Sequence, residues 1–325
     1  MRLKKKKIYF HEARSIGALF GDTLRYVRQH FGVLIRTLLF VGGPYVLASS
    51  VATLLYTNEV GEISLGLHGN DRALDYKMDS LFFYVVFYSI IYLARAFLSS
   101  TMAVHMIHQE RLGHKQVPTQ DITREVWAHS GKILLTALSV LSLLWVIVGF
   151  LSGMIYLVYQ VSDPLGFLLL FLTVVAVAIF FFPYSYLNAS LYMIIFRKGK
   201  YGYRGLGIAF KVLKGNFWQA WVVFFLSSLV LFGAIWLLGQ PLEIYDQVMQ
   251  EFASTEILNY ERYGLVAVLV SLVGNFVTTL VDGFYYILCH FQYFSNEERR
   301  TGFGLKKRVM EIGSGQTYRD FEPSY

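Results

Sequence analysis

Long apolar runs alternate along the chain with shorter charged stretches. The runs cover about 32–56, 81–107, 133–159, 165–196, 217–239 and 264–294. Each is close to or longer than the roughly 20 helical residues that cross a hydrocarbon core of about 30 Å. The pattern predicts an all-α integral membrane protein with six transmembrane helices. Residues 1–31 would form a basic tail and an amphipathic helix, 32–294 the membrane domain, and 295–325 a C-terminal tail.

A second pattern precedes three of the runs. In SIGALFGDTLRYVRQHF, helical spacing puts Ile16, Leu19, Phe20, Leu24, Val27 and Phe31 on one face and Asp22, Arg25 and Arg28 on the other. YRGLGIAFKVLKGNFW repeats this before the fifth run, with Leu206, Phe210, Leu213 and Phe217 opposite Arg204, Lys211 and Lys214. TQDITREVWAHSGKILL is a fainter copy built on Ile122, Val126 and Ile133. The chain therefore reads as three units, each a surface helix followed by two spans. Of the outer connections, 57–80 carries few structural signals, and PLEIYDQVMQEF predicts a separate surface helix.

Polar residues inside the runs fall on single helix faces. Tyr84, Tyr88, Tyr92, Arg95 and Ser99 form one stripe, and Asn275, Thr279, Asp282, Tyr286, Cys289 and Tyr293 another. Ser185, Asn188 and Tyr192 make a shorter third, just after Pro183. All three lie on the second helix of a unit, which predicts that these helices face inward. Arg95 stands 12 residues before Ile107, and Asp282 stands 12 before Phe294. Both are then roughly 18 Å from the end of their span, and an unpaired charge at that depth is costly, so an Arg95 to Asp282 ion pair is expected. The candidate polar cluster comprises Arg95, Asp282, Tyr88, Tyr92, Asn188, Asn275, Thr279 and Tyr286. In the third run, Gly149 and Gly153 of GFLSG offer a close-packing face shared with Ser139 and Ser142.

Composition agrees with the runs: 55% of residues are hydrophobic, only 16% are charged, and mean hydropathy is +0.46. The net charge of +7 is unevenly spread. Stretches 1–31, 108–132, 197–216 and 295–325 hold 24 lysines and arginines, while the alternate connections hold 3. Positive charge near span ends stays on the cytoplasmic side, so both termini are expected there. Lys4, Lys5, Lys6 and Lys7, with Arg204, Lys211 and Lys214, are the residues expected to face anionic lipid headgroups. This distribution along one membrane face argues against nucleic acid as the partner. The polar start of the chain lacks the layout of a cleaved signal peptide, so the first run is expected to remain as an anchor.

Chemistry-bearing motifs are missing from the sequence. It contains no phosphate-binding glycine loop, zinc-protease helix, paired CxxC or nucleophile elbow. His105 and His108 have ligand-like spacing but no third ligand clearly placed. The lone Cys289 lies inside a run. No cofactor, metal or catalytic residue is expected.

SIGALFGDTLRYVRQHFGVLIRTLLFVGGP at the start, KGNFW before the fifth run and the tail FQYFSNEERRTGFGLKKRVMEIG carry a family resemblance. The chain resembles the glycerophosphoryl diester phosphodiesterase membrane-domain and YciC-like group of bacterial multi-pass proteins. The resemblance implies six spans in a bacterial inner membrane, without the separate phosphodiesterase domain that some members carry, and it transfers no catalytic residue. Two functions compete on this reading. One is a non-catalytic scaffold or accessory subunit for membrane or envelope partners. The other is a transporter or channel whose path passes Arg95 and Asp282.

Overall fold

The computed structural model describes residues 8–66, 73–112, 117–159, 168, 171, 186–253 and 260–314, and among these it is helical with no strand. In chain order the elements are α1 (Ile16–Gly66), α2 (Ala73–Leu112), α3 (Thr119–Ala128), α4 (Ser130–Tyr159), α5 (described over 186–198), α6 (Gly202–Leu213), α7 (Phe217–Ala253), α8 (Tyr260–Thr301) and α9 (Phe303–Ser314). Most of the expected fourth span, together with Pro183, Ser185 and Lys4 to Lys7, lies outside the described residues.

Three described stretches are long and apolar enough to cross a membrane: Ser89–Leu112, Ser130–Ile147 and Leu272–Thr301. A fourth is added if the bent pair Gly202–Leu213 and Phe217–Gly233 counts as one span. Among the described residues the count is therefore three or four rather than six. These apolar helices are compatible with a membrane protein.

The units also differ from their predicted outline. The third has the expected break. Gly215 adopts φ 88°, a conformation open to glycine but strained for other residues, and α6 meets α7 at 99°. In the second unit α3 ends at Ala128, with His129 as its cap and Ile122, Val126 and Ile133 all buried. The first unit has no such break: α1 runs unbroken for 51 residues, so the expected surface helix and span form one element. Gly32, at the expected junction, stays helical. Likewise α7 continues through Pro241 to Ala253 instead of yielding a separate surface helix. A proline forfeits one backbone bond, which need not end a helix. The stretch 57–80 is helical on both sides, since α1 extends to Gly66 and α2 begins at Ala73.

Cross-helix contacts fix the direction of the bundle. Arg95 meets Asp282, and Arg197 bridges Glu110 to Glu297, so α2 and α8 are parallel with one sequence offset. On α5, Asn188 meets Tyr92 and Arg197 meets Glu110, which gives it the same direction. Against α8, α1 is antiparallel: Leu38 touches Gly283, Thr279 approaches Gly42, and Asn275 reaches Ser50. Among the described side chains, a packed core lies toward the C-terminal ends of α2, α5 and α8, where Met102, Met106, Leu191, Ile194, Leu288 and Phe291 are buried. By contrast, α4 exposes Leu135, Leu138, Val146 and Phe150, and α7 exposes Leu229, Val230 and Phe232. The expected inward placement of the second members is thus only partly met, because α1, a first member, also buries Leu34, Leu38 and Val41 along α8.

Close approach occurs at glycines other than those predicted. A Cβ at Gly283 would lie 3.2 Å from Leu38 of α1, and one at Gly205 would lie 3.1 Å from Leu191 of α5. A Cβ at Gly149 or Gly153 would meet nothing within 4 Å among the described residues, so the expected GFLSG contact is not seen among them. Ser142 instead shares a 2.9 Å hydrogen bond with Tyr203 of α6.

Candidate functional site

Halfway along α2 and α8, Arg95 Nε donates to Asp282 Oδ2 at 3.0 Å. The two side chains are unequally covered, 41% of Arg95 being exposed against 15% of Asp282. Near Arg95 on α2, Tyr92 donates its hydroxyl to Asn188 Oδ1 of α5 at 2.8 Å. Farther back on α8, Asn275 Nδ2 donates to Ser50 Oγ of α1 at 3.0 Å. Each of these bonds joins two different helices. Thr279 donates to the Asn275 carbonyl within its own helix at 2.7 Å, and buried Tyr286 packs 5.8 Å from the Tyr285 ring. The Tyr88 side chain lies outside the described residues.

Arg204 and Lys211 of α6 and Lys214, which caps it, are exposed. The apolar face of that helix is rotated from its predicted position. Gly205, Leu206, Ala209, Val212 and Leu213 pack inward, and Phe210 is exposed beside the lysines together with Tyr203 and Trp218. Small residues facing α4 and α5 let α6 lie close, and the bulky ring turns out. A similar rotation in α1 buries Leu19, Thr23 and Tyr26 and leaves Leu24 and Phe31 exposed.

A second polar centre, with no counterpart in the sequence reading, closes the bundle where α2, α5 and α8 end. Residues 8–15 form a non-helical strap across this end. Phe10 inserts between Tyr26, Phe291 and Phe294, with ring centroids 6.1, 5.8 and 5.4 Å away. Arg14 is only 2% exposed. Its Nε donates to Asp22 Oδ2 at 2.8 Å, its Nη1 to the carbonyls of Phe10 and Glu12 at 2.8 and 3.2 Å, and its Nη2 to the Tyr9 carbonyl. The guanidinium also lies 4.9 Å from the Phe291 ring centroid. Its backbone N–H donates to Ser295, and its carbonyl accepts from Gln219 and Arg299. Asp22, predicted on a solvated face, is instead drawn to Arg14 while still accepting from Arg25 at 2.9 Å.

Beside Arg14, His11 Nε2 and Glu110 Oε1 share a 2.6 Å hydrogen bond, and Arg197 Nη2 lies 3.5 Å from the same carboxylate. Arg197 also pairs with Glu297, to which Lys198 Nζ comes within 3.0 Å. This collar joins the strap, α2, α5 and α8 through charges of both signs. Glu298 then turns to α9, accepting the backbone N–H groups of Gly304 at 2.7 Å and Leu305 at 3.0 Å. A carboxylate at a helix start satisfies unpaired donors and suits the helix dipole.

Gly304 is pressed against the strap. A Cβ there would overlap the His11 carbonyl oxygen and lie 2.8 Å from the His11 Cβ. Gly304→Ala should therefore force α9 and the strap apart at a cost of about 1–3 kcal/mol. Faster trypsin cleavage after Arg14 and a lower melting temperature are the expected readouts; unchanged values for both would contradict the contact.

The histidines spaced like ligands separate. His105 Nδ1 and the Tyr26 hydroxyl share a 2.5 Å hydrogen bond, whereas His108 pairs with Glu125 of α3 at 2.5 Å. Burial pushes the Tyr26 phenol well above its ordinary value, so it remains neutral. No group of three His, Cys, Asp or Glu side chains suited to a metal occurs among the described residues. Compared with protein-family models, curated proteins and solved structures, the chain matches none.

Proposed function

We propose that the chain is a non-catalytic scaffold or accessory subunit of a bacterial inner membrane, with six spans and both termini cytoplasmic. The observation that carries this reading is the direct Arg95 to Asp282 contact at 3.0 Å between two inward helices. It uses the mid-helix charges to hold α2 against α8. The 24 to 3 division of basic residues supports the orientation, because it would place the collar and strap on the cytoplasmic side. Arg204, Lys211 and Lys214, exposed beside aromatic rings, then meet anionic headgroups. The resemblance to the phosphodiesterase membrane-domain group supports the span count.

The competing reading, a transporter, draws on the 41% of the Arg95 side chain left exposed. Asp282→Asn and Arg95→Gln separate the two. For a scaffold, both variants should melt at lower temperature and release from native membrane assemblies, with no change in proton or potassium flux in proteoliposomes. A wild-type flux that Asp282→Asn abolishes at an unchanged melting temperature would overturn the scaffold reading in favour of transport.

A further inference from the structure

The helix that follows α8 has an exposed apolar face of its own. Leu305 and Val309 of α9 are 62% and 61% exposed. At 100° per residue Leu305 and Val309 lie about 40° apart, one turn from each other along the helix. The same stretch, LKKRVM, carries three consecutive basic residues, Lys306, Lys307 and Arg308. The start of the helix is pinned by the Glu298 carboxylate and by the fit of Gly304 against His11. Its position is therefore fixed at the end of an apolar helix long enough to cross a membrane, the end at which Arg299 also reaches Asn216 beside α6.

We propose that α9 is an interfacial helix that docks on an anionic bilayer surface, with Leu305 and Val309 as its apolar anchors and the basic run at the headgroups. This rests on the membrane reading given above. Charge complementarity selects the occupant: a sequence run of three basic residues between Leu305 and Val309, which helical spacing spreads over the rest of the helix circumference, matches a surface that is apolar below and negative above. A water-facing helix needs no such apolar pair, and a purely apolar partner gives the cations nothing to pair with. The docked helix would hold Gly304 against the strap from the membrane side.

The test uses the full chain reconstituted in vesicles, with an environment-sensitive nitrobenzoxadiazole label on Val309→Cys; the native Cys289 is buried. In vesicles containing phosphatidylglycerol, the label should be quenched by lipids carrying a shallow nitroxide and shielded from aqueous iodide. In phosphatidylcholine alone, iodide should reach it. Lys306→Gln with Lys307→Gln should shift the docking equilibrium toward the undocked form by about fivefold per charge removed. A label open to iodide in both vesicles would overturn the proposal. So would one shielded from iodide but untouched by lipid quenchers, because α9 would then pack on protein. A second label at Phe150→Cys, exposed on α4, keeps the two readings apart. If Phe150 meets lipid and Val309 does not, only the α9 proposal falls; if neither does, the membrane reading falls with it.

Discussion

Replacing Arg14 with methionine should destabilise the strap end of the bundle by about 3–5 kcal/mol, the range for removing one partner of a buried charge pair. Arg14 is almost wholly buried, and its fork serves Asp22 and the carbonyls of Tyr9, Phe10 and Glu12 together. Methionine fills much of the volume but donates to none of them. Three carbonyls lose a donor, and the Asp22 carboxylate keeps Arg25 as a neighbour. The strap should lift, exposing Phe10 and the aromatic surface of Phe291 and Phe294. Loss of amide-exchange protection over residues 8–15 and a fall in melting temperature would report this. Arg14→Lys retains the charge but has a single ammonium, so it should recover only a minor part of the loss. Asp22→Asn should cost less than either, because the carbonyl contacts survive. Wild-type melting and exchange protection in Arg14→Met would show that the buried guanidinium does not hold the strap.

The strap was hidden in the sequence for a physical reason. YFHEARS has no period of 2 or 3.6, so its aromatic and charged residues read as a polar leader after KKKK. Its partners are distributed over α1, α2, α5 and α8, and only folding gathers them. The one available trace was sign: Glu110, Glu297 and Glu298 stand beside arginines at the ends of apolar runs in otherwise basic stretches. The helical class was legible because apolar runs leave few alternatives. The register bringing Arg95 to Asp282 was legible because both positions could be counted from the ends of parallel helices. Faces fared less well. Helical spacing grouped Phe210 with Leu206 and Leu213 on one face, but the close fit of Gly205 against Leu191 buries a face that includes small residues and leaves the ring exposed. The continuity of α1 was also not legible, since Gly32 resembles a break in sequence and stays helical in the fold.

That register leads to a second large effect. Arg95→Asp would set two carboxylates against each other between α2 and α8, and Asp282→Arg would do the same with two cations. Each should cost about 3 kcal/mol, the scale for an unmatched charge at the centre of an apolar helix. The half-exposed Arg95 moderates its own share, but Asp282 is mostly covered and keeps the larger penalty. The double exchange, Arg95→Asp with Asp282→Arg, restores opposite signs at the same offset that joins Glu110 to Glu297 through Arg197. It should recover more than half of the melting temperature lost in the singles, a coupling that independent sites would not show. Full recovery is not expected, because an arginine reaching from α8 cannot reproduce the Nε geometry set from α2. If the exchanged protein inserts and folds but is no more stable than the sum of the singles predicts, the contact is incidental, and the force holding α2 to α8 must come from their packed apolar surfaces.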